Sequence, residues 1–156
     1  MMDGVQIRSV GVACVVLKSI NNIFHVLCLK RNFHPKDAWC YIGGKIKVGE
    51  SSSEAALREI FEETAIQNVK LYSADICEQF YEIERNSIWL APVFVGYVAA
   101  DEQVTLNHEH SEYNWLTAEE AIERVSFPNN RNILKHIAAE FIKKVPSELL
   151  KINIEA

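Results

Sequence analysis

The segment GKIKVGESSSEAALREIFEETAI, residues 44–66, follows Gly43 and runs into the clearest helical pattern in the chain. Ser51 can cap a helix start with Glu54 three residues on, so the spacing predicts a helix over 51–64. Ala56, Leu57, Ile60, Phe61 and Thr64 then fall on one stripe that can face a core. Glu59, Glu62 and Glu63 stand at i, i+3 and i+4, which puts three carboxylates on one helical face. Like charges at that spacing repel by a few tenths of a kcal/mol per pair. Such a face is either solvated or a cation site, because clustered hard oxygens suit Mg²⁺ or Mn²⁺. Local spacing alone does not decide between the two.

On the N-terminal side, residues 6–18 and 23–31 are β-branched and apolar, with a turn over 19–22, and a short apolar piece at 39–42 leads into Gly43-Gly44. On the C-terminal side, two long strand-like segments, 68–84 and 87–99, flank a polar turn at Arg85 and Asn86. A loop over 101–112 and a brief strand over 113–116 follow. Thr117 with Glu120 forms a capping box for a short helix to about 124, and a last helix runs from 128 or 129 to about 144. Hairpins outnumber βαβ units, so the fold class is α/β of the α+β type, a mixed β-sheet sandwiched between helices. The length of 156 residues predicts a single domain, with a loose tail after about 145.

Sixteen Lys and Arg against 21 Asp and Glu give a net charge of −5, which argues against a nucleic-acid polymer as partner. A small anionic substrate remains compatible if a cation bridges it to the protein. No apolar stretch approaches the ~20 residues of a membrane helix and the N-terminus lacks signal-peptide character, so no membrane contact and a cytoplasmic location are expected. Cys14, Cys28, Cys40 and Cys77 show no metal-finger spacing and read as structural thiols, in keeping with a reducing compartment.

The segment 44–66 resembles the box of the Nudix hydrolase family, G-x5-E-x7-R-E-U-x-E-E-x-G-U, with U a bulky apolar residue. Gly44, Glu50, Arg58, Glu59, Ile60, Glu62, Glu63 and Ile66 fall in place, and Ala65 stands where the family has glycine. Alanine at a helix C-terminus costs on the order of 1 kcal/mol if the backbone must take positive φ. The resemblance implies a mixed sheet between helices and a Mg²⁺-dependent phosphoanhydride hydrolase, with Mn²⁺ a possible substitute. It implies Glu59, Glu62, Glu63 and the Gly44 carbonyl as metal ligands, with Glu59 a ligand or the water-activating base. Arg58 would orient these glutamates, Glu50 would hold Arg58 or a metal-bound water, and Gly43 would let the backbone approach closely.

An acidic residue from a distant loop often adds to such a site. Glu109 is the favoured candidate, by similarity to the dihydroneopterin triphosphate pyrophosphatase branch of the family, and Glu112 is the fallback. His108 and His110 stay outside the expected site because magnesium prefers oxygen. The segment 114–131 looks like the one that closes the pocket in MutT-type members, where Asn130 corresponds most closely to a base-reading asparagine. Phe127 is a candidate for stacking on a ring or a packing staple. Arg31, Lys45 and Arg131 are candidate phosphate contacts. The expected substrate is a small nucleotide-like molecule: a nucleoside triphosphate, or a purine or pterin triphosphate, cleaved to monophosphate and pyrophosphate. The alternatives are dinucleoside polyphosphates, nucleotide sugars or ADP-ribose, and a non-catalytic nucleotide-sensing domain. The chain is expected to be a monomer or homodimer.

Overall fold

A computed structural model describes residues 4–154. Eight strands form a mixed sheet: β1 (Gln6–Arg8), β2 (Gly11–Ile20), β3 (Ile23–Arg31), β4 (Trp39–Cys40), β5 (Ile42–Lys45), β6 (Lys70–Glu82), β7 (Ser87–Val98) and β8 (His110–Thr117). Helix α1 (Ser52–Thr64) lies between β5 and β6, and α2 (Ala118–Arg124) and α3 (Pro128–Ile137) follow β8.

β2 is the axis of the sheet. It runs parallel to β7 from Ala13↔Val93 to Lys18↔Val98. Its other edge is shared: residues 17–20 pair antiparallel with β3, and residues 11–14 pair with β5. The sheet therefore forks along this edge, and β3 continues outward with β4 and β8. The fork opens the cleft described below. Turn residues Asn21 and Asn22 take positive φ (51° and 65°), as a tight hairpin between twisted strands requires.

Both faces of β2 are buried, which explains its unbroken apolar run. Val12, Cys14 and Val16 point to the α1 side, where they meet Ala55, Ala56 and Ile60. Ala13, Val15 and Leu17 point the other way, towards Ala121 and Val125, Ile133 and Ile137 of α3, and Phe141. Each large side chain buried here contributes roughly 1.5–3 kcal/mol. The layers are the helix–sheet–helix sandwich expected from the sequence.

The differences from the local reading have long-range causes. The predicted strand over 6–18 breaks at Ser9 and Val10, because β1 and β2 occupy successive stretches of the same edge of β7. The brief strand at 113–116 lengthens to His110–Thr117 because β3 offers a partner along its whole length. The last helix changes winding at Ala138–Ile142, a π-helical turn in which the Lys143 N–H donates to the Ala138 carbonyl at 2.9 Å. Among the described residues after 145, Glu148–Leu150 form a short 3₁₀ turn, Lys151 pairs with Tyr72, and the Ile152 N–H donates to the Leu71 carbonyl at 2.9 Å.

Candidate active site and metal centre

The Ser51 hydroxyl accepts from the Glu54 N–H at 3.2 Å and starts α1. The helix ends at Ala65, whose φ of 65° is left-handed and whose N–H donates to the Phe61 carbonyl at 2.8 Å. Alanine thus occupies a conformation that glycine takes without strain. The buried stripe of α1 is Ala55, Ala56, Glu59, Ile60, Glu63 and Thr64, whereas Phe61 is 46% exposed. This corrects the expected stripe by a rotation that turns two carboxylates inward and Phe61 outward. Glu59 and Glu63 of the acidic face are consequently buried, whereas Glu62 is exposed.

Arg58 organises one edge of the helix. Its Nε donates to Glu50 Oε2 at 2.6 Å and its Nη2 to Glu50 Oε1 at 2.8 Å, a bidentate pair. Nη2 also donates to the Lys45 carbonyl at 2.8 Å, and Nη1 to Glu59 Oε1 at 2.8 Å and Glu62 Oε2 at 3.2 Å. The loop after β5 is thereby tied to α1. The hydrogen bonds from Arg58 hold the Glu50 carboxyl down to about 2. Gly44 lies against the Glu59 carboxylate, and a Cβ there would overlap it.

The opposite edge of α1 faces a cleft of about 370 Å³ lined by Arg31, Phe33, Tyr41, Gly43, Glu63, His108, Glu109 and His110. Glu63 is only 1% exposed, its Oε1 lies 3.4 Å from His110 Nδ1, and its Oε2 has no hydrogen-bond partner. Burial, then the charges of Glu59 and Glu109, push the Glu63 carboxyl up to about 10. Burial, followed by the Arg31 charge, pushes the His110 imidazole down to about 4. Donor atoms of Glu63, Glu109 and His110 lie within 4.8 Å of one another. The loop carrying them is clamped by Asn32, whose N–H donates to the Glu109 carbonyl and whose Nδ2 donates to the His108 carbonyl, both at 2.9 Å.

The cleft therefore gathers Arg31, Gly43, Glu63 and Glu109 from the expected set. Glu62 is exposed and pairs with Arg58 and with Lys47 Nζ at 3.6 Å. Lys45 is exposed and contributes its carbonyl to Arg58. Phe127 is 47% exposed beside the start of α3, and Arg131 donates to the Val125 carbonyl at 3.3 Å. Neither Lys45, Phe127 nor Arg131 lines the cleft. Glu112, the fallback acid, pairs with Lys30 at 2.9 Å and also lies outside the lining.

Both histidines left out of the expected site line the cleft, and His110 is buried against Glu63 because β8 begins at that residue. A polar chain behind the cleft was not visible locally. Asn130, also buried, donates through Nδ2 to the Tyr41 hydroxyl at 3.0 Å; the hydroxyl donates to Glu78, which accepts from Trp89 Nε1 at 3.0 Å. Burial raises the Glu78 carboxyl, with these donors opposing it. Asn130 thus reaches the cleft only through Tyr41. The single signal was a tyrosine and a glutamate at apolar strand positions.

A buried carboxylate oxygen without a donor is costly unless a cation takes the place of the missing hydrogen bond. Glu63 fits that description, and Glu59, Glu109 and the Gly44 carbonyl are hard donors of the kind divalent cations accept. The residues present therefore fit a divalent-metal centre.

The NUDIX domain family model matches residues 7–140. A solved MutT protein from Methanosarcina mazei Go1 superposes with a TM-score of 0.71 at 28% identity, covering 89% of this chain and 97% of that one. The chain belongs to the Nudix family. An RNA pyrophosphohydrolase from Pelagibacter ubique is 30% identical over 131 residues, 74% of this chain and 80% of that protein. An asymmetrical bis(5'-nucleosyl)-tetraphosphatase from Sus scrofa is 27% identical over 135 residues, 83% of this chain and 81% of that protein. An octanoyltransferase from Myxococcus xanthus is 29% identical over 140 residues, and there the chain spans 85% of itself but only 37% of its relative.

Proposed function

We propose that the protein is a divalent-metal-dependent pyrophosphohydrolase that cleaves a nucleoside triphosphate, or a similar purine or pterin triphosphate, to the monophosphate and pyrophosphate. The observation that carries this reading is the buried Glu63 carboxylate beside Glu109 in a cleft that also holds Arg31. Glu59, Glu62, Glu63, Glu109 and the Gly44 carbonyl would hold the cations. Bound there, such ions neutralise phosphate oxygens and lower the pKa of a coordinated water.

The chain's own groups would do the rest. Arg58, fixed by Glu50, would orient Glu59 and Glu62. Arg31, at the cleft wall, would meet a phosphate oxygen. Glu59 or Glu109 would accept the proton of the attacking water, and the Lys30 pairing of Glu112 argues against that third candidate. The edge-to-face pair of Phe33 and His108, 6.1 Å between centroids, stands at the cleft wall where a substrate ring could pack.

A second reading keeps the chemistry and changes the substrate to a dinucleoside polyphosphate or another nucleotide-linked diphosphate; it is supported by the similarity to the Sus scrofa tetraphosphatase. Product analysis decides between them. Incubation with Mg²⁺ and a panel of triphosphates, 5'-triphosphorylated RNA, dinucleoside polyphosphates, nucleotide sugars and ADP-ribose is expected to release pyrophosphate from a small triphosphate. Paired mononucleotide products without pyrophosphate would favour the second reading. Turnover that survives unchanged in Glu62→Gln would remove the metal-ligand role, and no turnover on any member would leave a sensing domain as the better account.

A further inference from the structure

The strongest unexplained feature of the cleft is a pair of buried polar atoms that have no hydrogen-bond partner. Glu63 Oε2 and His110 Nδ1 have no partner, and the two side chains are 1% and 4% exposed. A simple ion pair would place the imidazole N–H on a carboxylate oxygen at about 2.8 Å. Here the approach of Nδ1 to Glu63 Oε1 stops at 3.4 Å and makes no hydrogen bond. Ligand atoms of the two side chains and a carboxylate oxygen of Glu109 all lie within 4.8 Å of one another.

The backbone holds this arrangement independently of any ligand. His110 is the first residue of β8 and pairs with Arg31 just past the register shift after Lys30. Asn32 fixes the preceding loop through two hydrogen bonds, and the Glu109 N–H donates to Asn107 Oδ1 at 3.0 Å. Glu63 comes from the last turn of α1. Three separate elements thus bring one nitrogen and two carboxylates together, and each is anchored by contacts outside the cluster.

We propose that His110 is an inner ligand of a mixed nitrogen–oxygen cation site made with Glu63 and Glu109, and that this nitrogen makes the protein favour Mn²⁺ over Mg²⁺. Mg²⁺ holds to oxygen and water, whereas imidazole is a good ligand for the first-row transition ions. This rests on the reading of the cleft as a cation site and adds the identity of one donor and its consequence for selectivity.

The direct test is pulsed electron paramagnetic resonance of the Mn²⁺-loaded protein. Echo modulation from a coordinated ¹⁴N is expected, and it should change to the ¹⁵N pattern when the protein is grown with ¹⁵N-histidine, which needs no variant. The modulation should vanish in His110→Gln and persist in His108→Gln, because His108 is exposed and belongs to no such cluster. Calorimetry should show the Mn²⁺ affinity of His110→Gln falling by about tenfold or more while the Mg²⁺ affinity changes much less. Mn²⁺ bound without nitrogen modulation overturns this proposal and leaves the cation-site reading standing. Absence of Mn²⁺ and Mg²⁺ binding altogether overturns both.

Discussion

The two edges of α1 carry the same residue type to opposite ends. On one edge Glu50, Glu59 and Glu62 surround Arg58, and the Glu50 oxygens accept three hydrogen bonds. On the other, Glu63 is more deeply buried and has an oxygen that accepts none. The first edge is electrostatically complete and fastens the loop to the helix. On the second, burial favours the neutral acid, and in the proposed site a cation would take the place of the missing donor. A carboxylate's neighbours, rather than its place in a motif, separate bracing from binding.

The largest effect that would break this contrast is in Glu63→Gln. Turnover should fall on the order of a hundredfold or more, as for loss of a group that stabilises transition-state charge. The metal-free protein should at the same time melt several degrees higher at pH 8, since the amide removes an acid that burial keeps from ionising. Equal melting temperatures would mean that Glu63 is not strained in the absence of metal.

Arg58→Lys tests the other edge. Lysine keeps the charge and loses the fork that serves Glu50, Glu59 and Lys45, so stability should drop by roughly 1–2 kcal/mol in denaturant titrations. A variant as stable as the parent would reduce Arg58 to an ordinary surface cation.

Glu63 and Glu50, on the two edges, should also answer pH with opposite signs. Glu63 is raised from 4.5 to about 10, so its contribution to the metal-free fold is full below about 4.5 and is lost as pH rises towards 10. His110, lowered from 6.5 to about 4, contributes above 6.5 and loses that contribution as pH falls towards 4. Glu50, lowered from 4.5 to about 2, likewise contributes above 4.5 and loses it as pH falls towards 2. Between pH 7 and 8.5 the slope therefore belongs to Glu63 among these groups. Melting temperature in chelator should decline across that window, and saturating Mn²⁺ should flatten the decline. Parallel curves with and without metal would contradict the assignment.

The smallest effect is Ala65→Gly at the end of α1. Relief of left-handed alanine, set against the greater unfolded-state freedom of glycine, should stabilise the fold by about 0.5–1 kcal/mol with little change in turnover. A loss of stability would show that the methyl group packs favourably.

Features set by neighbours in sequence were legible before the structure. The Ser51 and Thr117 caps, the turn at Arg85 and Asn86 and the helical spacing of Glu59, Glu62 and Glu63 all follow from local chemistry. What was illegible depends on partners far along the chain. The break after Arg8 requires β7, the early start of β8 requires β3, and the burial of His110 follows from that start. The same applies to Asn130, whose amide is engaged by Tyr41, 89 residues away. The rotation of α1 that exposes Phe61 has no local signal, because a helical stripe tolerates a shift of one position when two glutamates replace apolar residues along its margin.

The docking of Lys151 and Ile152 onto Tyr72 and Leu71 has a bearing on solubility. β6 pairs with β7 along one side, and its other side would present open amides and carbonyls to any passing chain. The terminal segment covers the start of that border, while the kink at Asp75 (φ 57°), between the paired stretches ending at Ser73 and resuming at Cys77, bends the remainder out of line. Shortening the chain to residue 145 would strip this cover and turn a guarded margin into a seed for aggregation, with the candidate cleft untouched.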